Sequence, residues 1–194
     1  MNTIFELAAQ NQRRSFEVIE ECGIKSAWES IGAEVHLVGS LKTKLLMTHL
    51  DVDFHVYTPE LDVVQSFAAM SQIASRPGIV RVQYANLSET SEQCLEWHAW
   101  YQDKSQEWQI DMIQILKGST YDGYFEAVAD RISDVLTPQT RQTILELKFQ
   151  TPETEKIMGI EYYRAVLEGK VSTWSEFLEW RKLHPVSGIV DWRP

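Results

Sequence analysis

Val38-Gly39-Ser40, ten residues, then Asp51-Val52-Asp53-Phe54 is the stretch on which the rest of the chain turns. Residues 33–38 (Ala-Glu-Val-His-Leu-Val) alternate as a strand does and run into Gly39-Ser40. Residues 41–47 suit a short helix, and from Leu50 to Tyr57 apolar and polar side chains alternate again. A glycine after a strand lets the backbone turn and approach a ligand without a Cβ. Ser40 and the amides that open the next helix can then donate to phosphate oxygens. Asp51 and Asp53, two apart on one strand, share a face roughly 7 Å apart, so their carboxylates can converge on a hard divalent cation. Mg²⁺ prefers such oxygen ligands together with phosphate.

Outward from this stretch, residues 3–22 repeat apolar side chains at helical spacing and end at Gly23. A helix is expected from the acidic start at Glu60 to Ala74, and a strand over 79–84. Residues 93–101 and 107–116 form an antiparallel hairpin, with Asp111 inside its second strand. From Tyr121 the period becomes helical: 121–135, 138–149, 153–168 and 173–183, the second and third opened by Thr-Pro. The pattern predicts an α+β protein, a mixed β-sheet flanked by helices over residues 1–118 with a helical C-terminal region over 119–194.

Val38-Gly39-Ser40, Asp51-Val52-Asp53-Phe54 and Ile110-Asp111-Met112 together resemble the nucleotidyltransferase superfamily, the polymerase-β-like fold. Its pattern is an apolar residue, Gly-Ser, a spacer of about ten residues, acidic-apolar-acidic-apolar, and a third acid on a later strand. The resemblance covers roughly residues 25–118 and points to the small-molecule-modifying or an uncharacterised branch. It implies a nucleotidyltransferase enzyme that moves a nucleoside monophosphate from an NTP, ATP among the candidates, to a hydroxyl of a small molecule or protein. Asp51, Asp53 and Asp111 would be the catalytic residues and the ligands of Mg²⁺, with Mn²⁺ as the alternative ion. Gly39 and Ser40 would bind the nucleotide, with Lys44 reaching a phosphate as a point charge.

Other readings compete at particular residues. The same fold without turnover would be a nucleotide-binding module of toxin-antitoxin type. His49 and His55 share the parity of the two acids and raise the alternative of a metal hydrolase. His98 falls across the hairpin from Asp111, as an acid-base helper or a cross-strand packing residue. Arg76 and Arg81 bracket a Pro-Gly turn and suit either a substrate anion or ordinary surface. Trp97, Trp100, Tyr101 and Trp108 suit either a stacked base or the core.

Of 194 residues, 44% are hydrophobic and seven each are Trp, Tyr and Phe, which excludes global disorder. Eighteen Lys and Arg against 28 Asp and Glu give a formal charge of −10, which disfavours a long polynucleotide as partner. Cys22 and Cys94 are far apart and form no stapling pattern, and no run suggests a signal peptide or membrane span. A cytoplasmic protein without a membrane partner is expected. Trp174, Phe177, Leu178 and Trp180 suit packing, or a homodimer surface if exposed.

Overall fold

The computed structural model describes residues 3–104, 106–186, 188 and 190–194. The chain runs α1 (Thr3–Cys22), α2 (Ile24–Glu29), β1 (Glu34–Val38), α3 (Gly39–Lys42), β2 (Asp51–Thr58), α4 (Val63–Ala74), β3 (Ile79–Asn86), β4 (Cys94–Asp103) and β5 (Gln106–Leu116). Four helices follow: α5 (Tyr124–Val135), α6 (Pro138–Gln150), α7 (Gly159–Leu167) and α8 (Trp174–Leu183). The strands make one sheet in the order β1-β2-β5-β4-β3, antiparallel except for the parallel β2–β5 pair. This is the α+β architecture expected from the sequence.

Period-two alternation divides the sheet into a back face and a front face. Val52, Phe54 and Val56 of β2, Ile110 and Met112 of β5, and Leu95, Trp97 and Ala99 of β4 point to the back. There they join α1, α2 and α4 in one apolar cluster. Trp97 and Trp108 are fully buried in it, so these two are core. A second cluster gathers α6, α7 and α8 with Leu45, Met47 and Ala8. Helix α1 therefore threads both clusters, its first turns packing on the C-terminal helices and its last on the sheet.

Several boundaries differ from the sequence reading. The helix after Gly39-Ser40 is a single turn that begins at the glycine itself. It ends at Lys42, and Lys44 just beyond it has a left-handed φ of 59°. Helix α4 starts at Val63 because the Asp62 carboxylate caps the amides of Val64 and Gln65 at 2.8 and 3.1 Å. Helix α7 starts at Gly159 and not at 153. Glu153-Thr154-Glu155-Lys156 offers no apolar stripe to bury, and the Glu161 carboxylate accepts from the Met158 amide at 3.1 Å to open the helix there. Gly23, at φ 63°, ends α1 and leads directly into α2, which the periodicity does not mark. Cys22 and Cys94 are free and buried. Among the described residues no helix is long and apolar enough to cross a membrane.

Candidate active site

The front face of β2 is the floor of a cleft of about 680 Å³. Gly39 and Ser40 of α3, Asp51, Asp53 and His55 of β2, and Asp111 of β5 all line it, with walls supplied by α5, the end of α6, the 151–160 segment and α7. The parallel register sets Asp53 directly beside Asp111, and Asp51 lies one step earlier on the same face. Asp111 joins the residues of α3 and β2 because β5 inserts next to β2.

The turn at Gly39 is built around Asp53. A Cβ on Gly39 would lie 1.9 Å from the Asp53 Oδ2, and its φ of 64° is left-handed, so both space and backbone require glycine. Ser40 is buried and lines the cleft, and its hydroxyl has no hydrogen-bond partner among the described residues. An orphaned buried hydroxyl is costly unless a ligand meets it.

Burial raises the pKa of Asp53 well above the usual carboxylate range, and the Asp51 and Asp111 charges push it further the same way. Burial also raises Asp51, against the opposing pull of Lys148 and His49. Anionic oxygen donors crowded in this way suit Mg²⁺, whose charge relieves the repulsion. Among the described residues no three His, Cys, Asp or Glu side chains are grouped so as to hold a metal ion by themselves.

Asp111 is held from two sides. His98 Nδ1 lies 2.5 Å from its Oδ1, and Gln109 Nε2 donates to both oxygens at 2.9 and 3.1 Å. The Asp111 bond, ahead of the opposing burial, raises the His98 pKa, and Glu96 stands 3.3 Å from its other ring nitrogen. His98 and Asp111 are cross-strand neighbours on β4 and β5 and are in direct contact.

His49 lies exposed among the cleft-lining residues, whereas His55 is buried against Phe125, with ring centroids 4.9 Å apart. Glu126 Oε1 is 3.8 Å from His55 Nδ1, and its carboxylate accepts from the Tyr57 hydroxyl at 2.8 Å. Lys44 is not brought into the cleft. Its side chain is exposed, and its carbonyl accepts from Gln12 and Arg141. Lys42 pairs with Asp130 at 3.1 Å. The cation that lines the cleft is Lys148, whose Nζ donates to the Leu45 carbonyl at 3.0 Å and lies 5.5 Å from the Tyr163 ring. Nothing in the sequence singles out Lys148, because a lysine near a helix end reads as solvated surface. Only the docking of α6 against the 43–50 loop turns it inward. Tyr162 and Tyr163 line the cleft beside Lys148, so the helical region contributes to the cleft as well as to packing.

Neither a family model nor a curated protein matches the sequence. Solved structures do match. The GLD-2/RNP-8 complex superposes with a TM-score of 0.60 at 9% identity, over 85% of this chain and 58% of that one. A Cid1 structure described for its RNA terminal uridylyl transferase activity gives 0.56 at 13%, over 85% and 51%. Cid1 poly(U) polymerase with MgGTP bound gives 0.53 at 14%, over 86% and 50%. The chain thus spans about half the length of the structures it matches. These are polymerase-β-like nucleotidyltransferases, and at such low identity what they share with this chain is the architecture. The five-stranded sheet and its flanking helices share the fold of these solved structures.

Proposed function

We propose that the protein is a Mg²⁺-dependent nucleotidyltransferase that moves a nucleoside monophosphate from an NTP to a hydroxyl of a small molecule or protein. The observation that carries this reading is the Asp53–Asp111 pair across adjacent parallel strands, with Asp51 on the same face and Gly39 packed on the Asp53 carboxylate. The solved structure of the same fold that contains MgGTP lends it support.

In this reading Asp51, Asp53 and Asp111 hold Mg²⁺, with Mn²⁺ as the alternative. Bound metal would supply charge neutralisation of the triphosphate and a more acidic attacking hydroxyl. Gly39 and Ser40 receive the phosphates, the Ser40 hydroxyl gaining the partner it lacks, and Lys148 adds the cation. The acceptor oxygen bonds to the α-phosphorus, the bond to the bridging oxygen breaks, and pyrophosphate leaves. Asp111, steadied by His98 and Gln109, takes the hydroxyl proton. The cleft volume is in the range of a small-molecule site.

Labelled ATP, GTP, CTP and UTP incubated with the protein and Mg²⁺, followed by binding measurements and mass spectrometry of candidate acceptors, test the reading. Triphosphate binding and transfer that vanish in Asp51→Asn/Asp53→Asn are expected. Binding of no triphosphate by the wild type, or transfer unchanged in that variant, overturns it.

A further inference from the structure

The register of the sheet carries the front face well past Asp111. Directly across the strands, Asp53 of β2 is followed by Asp111 of β5, His98 of β4 and Gln83 of β3. One step along, Asp51 is followed by Gln109, Trp100 and Arg81. Two parallel rows of side chains therefore lead from the carboxylates to the edge strand, about 10 Å from β5 to β3 at the usual strand spacing. Arg81 and Gln83 are exposed, and Gln109, Asp111 and His98 are partly so.

Arg81 reaches this face through a defect in the ladder. Ile79 pairs with Tyr101 and packs on the back, and regular alternation would send Arg81 to the back with it. The register shift at Val80 reverses the parity, so that Arg81 pairs with Trp100 on the front. Its guanidinium carbon lies 3.4 Å from the Trp100 ring centroid, the thickness of one stacked layer. Trp100 is only 8% exposed beneath it. Among the described residues Arg81 makes no ion pair, in a chain of net charge −10. Arg81 is exposed, and among the described residues no hydrogen bond takes its N–H edge.

Resting on the nucleotidyltransferase reading, we propose that this row is the acceptor subsite, and that the acceptor is a small molecule with a planar ring, one phosphate and a hydroxyl. The ring stacks on the Arg81–Trp100 layer, the phosphate takes the guanidinium edge, and the hydroxyl reaches Asp111 between His98 and Gln109. In-line displacement requires this placement, because the triphosphate end of the cleft lies at Gly39-Ser40, on the other side of the β2 carboxylates. One unpaired cation on the row matches one phosphate and not a polyanion.

The test fills the cleft with Mg²⁺ and a non-hydrolysable ATP analogue, then titrates 5′-AMP, which carries ring, phosphate and hydroxyls, and adenosine, which lacks the phosphate. AMP is expected to bind the loaded wild type. Arg81→Ala should weaken AMP about tenfold or more, the worth of a charge-assisted hydrogen bond. Adenosine should bind that variant as well as the wild type, because the bared Trp100 ring replaces the guanidinium as the stacking plane. Arg81→Lys should recover only part of the AMP affinity, keeping charge without the stack. Trp100→Leu should weaken both probes while leaving analogue binding unchanged. No AMP binding to the loaded protein, or AMP binding that Arg81→Ala and Trp100→Leu leave untouched, overturns the subsite. Failure of the analogue itself to bind overturns the nucleotidyltransferase reading instead, so the two failures are distinct.

Discussion

The two faces of strand β2 differ in everything but their backbone. On the back, Val52, Phe54 and Val56 lie at 0–5% exposure in a dry cluster with Trp97 and Trp108. On the front, Asp51 and Asp53 stand in the cleft with pKa values pushed upward, chiefly by burial. One face adds stability by removing apolar area from water, and the other costs stability by crowding charge. Chemistry that needs converging carboxylates is thus carried by a strand whose other side is among the best packed in the molecule.

The sharpest break of this contrast is Asp51→Asn/Asp53→Asn. Losing several kcal/mol of charge stabilisation predicts a fall in transfer of about 10³-fold, read by pyrophosphate release, while the melting temperature in metal-free buffer at pH 7 rises. The sign follows from the direction of the shift. A carboxyl raised in the fold carries no penalty below its ordinary value of 3.8, and its penalty grows as pH climbs through the raised value. Metal-free wild type should therefore lose stability over that window and the variant should not. A melting curve that falls equally in both would break the assignment of the strain to the front face.

Trp97→Ala tests the other face. Removing a fully buried Trp predicts a loss of about 3–5 kcal/mol in urea unfolding. Gly39→Ala couples the two faces, since the new Cβ meets the Asp53 carboxylate and must adopt a left-handed φ. About 1–2 kcal/mol of stability and about 10²-fold of transfer should go together. His98→Ala should cost about 10–100-fold in transfer, the usual worth of an orienting partner, with the midpoint of unfolding unchanged. A shifted midpoint would make His98 a packing residue and not a support for Asp111.

The strands and most helices are legible from period alone, because apolar side chains alternate along the back face of β2 and β4 and of β5 as far as Met112. The glycine turn and the two β2 acids are legible because each needs only local geometry. What escaped were features made by distant partners. Helix α7 starts late because Glu161 caps Met158, and Lys44 faces away because α1 and α6 claim its carbonyl. Lys148 enters the cleft only through its bond to Leu45, and Arg81 changes face through a one-residue bulge that alternation cannot register.

By itself the sequence determined that Asp51 and Asp53 share a face, that a glycine turn precedes them, and that a third aspartate sits in a later strand, since these follow from a strand's period of two and from glycine's missing Cβ. The tertiary structure alone decided that β5 lies beside β2 with Asp111 level with Asp53. It decided too that His98 and Gln109 hold that third carboxylate, and that Lys148 supplies the charge in the cleft. Strand order and helix docking are set by long-range burial of the apolar faces, which no local spacing encodes.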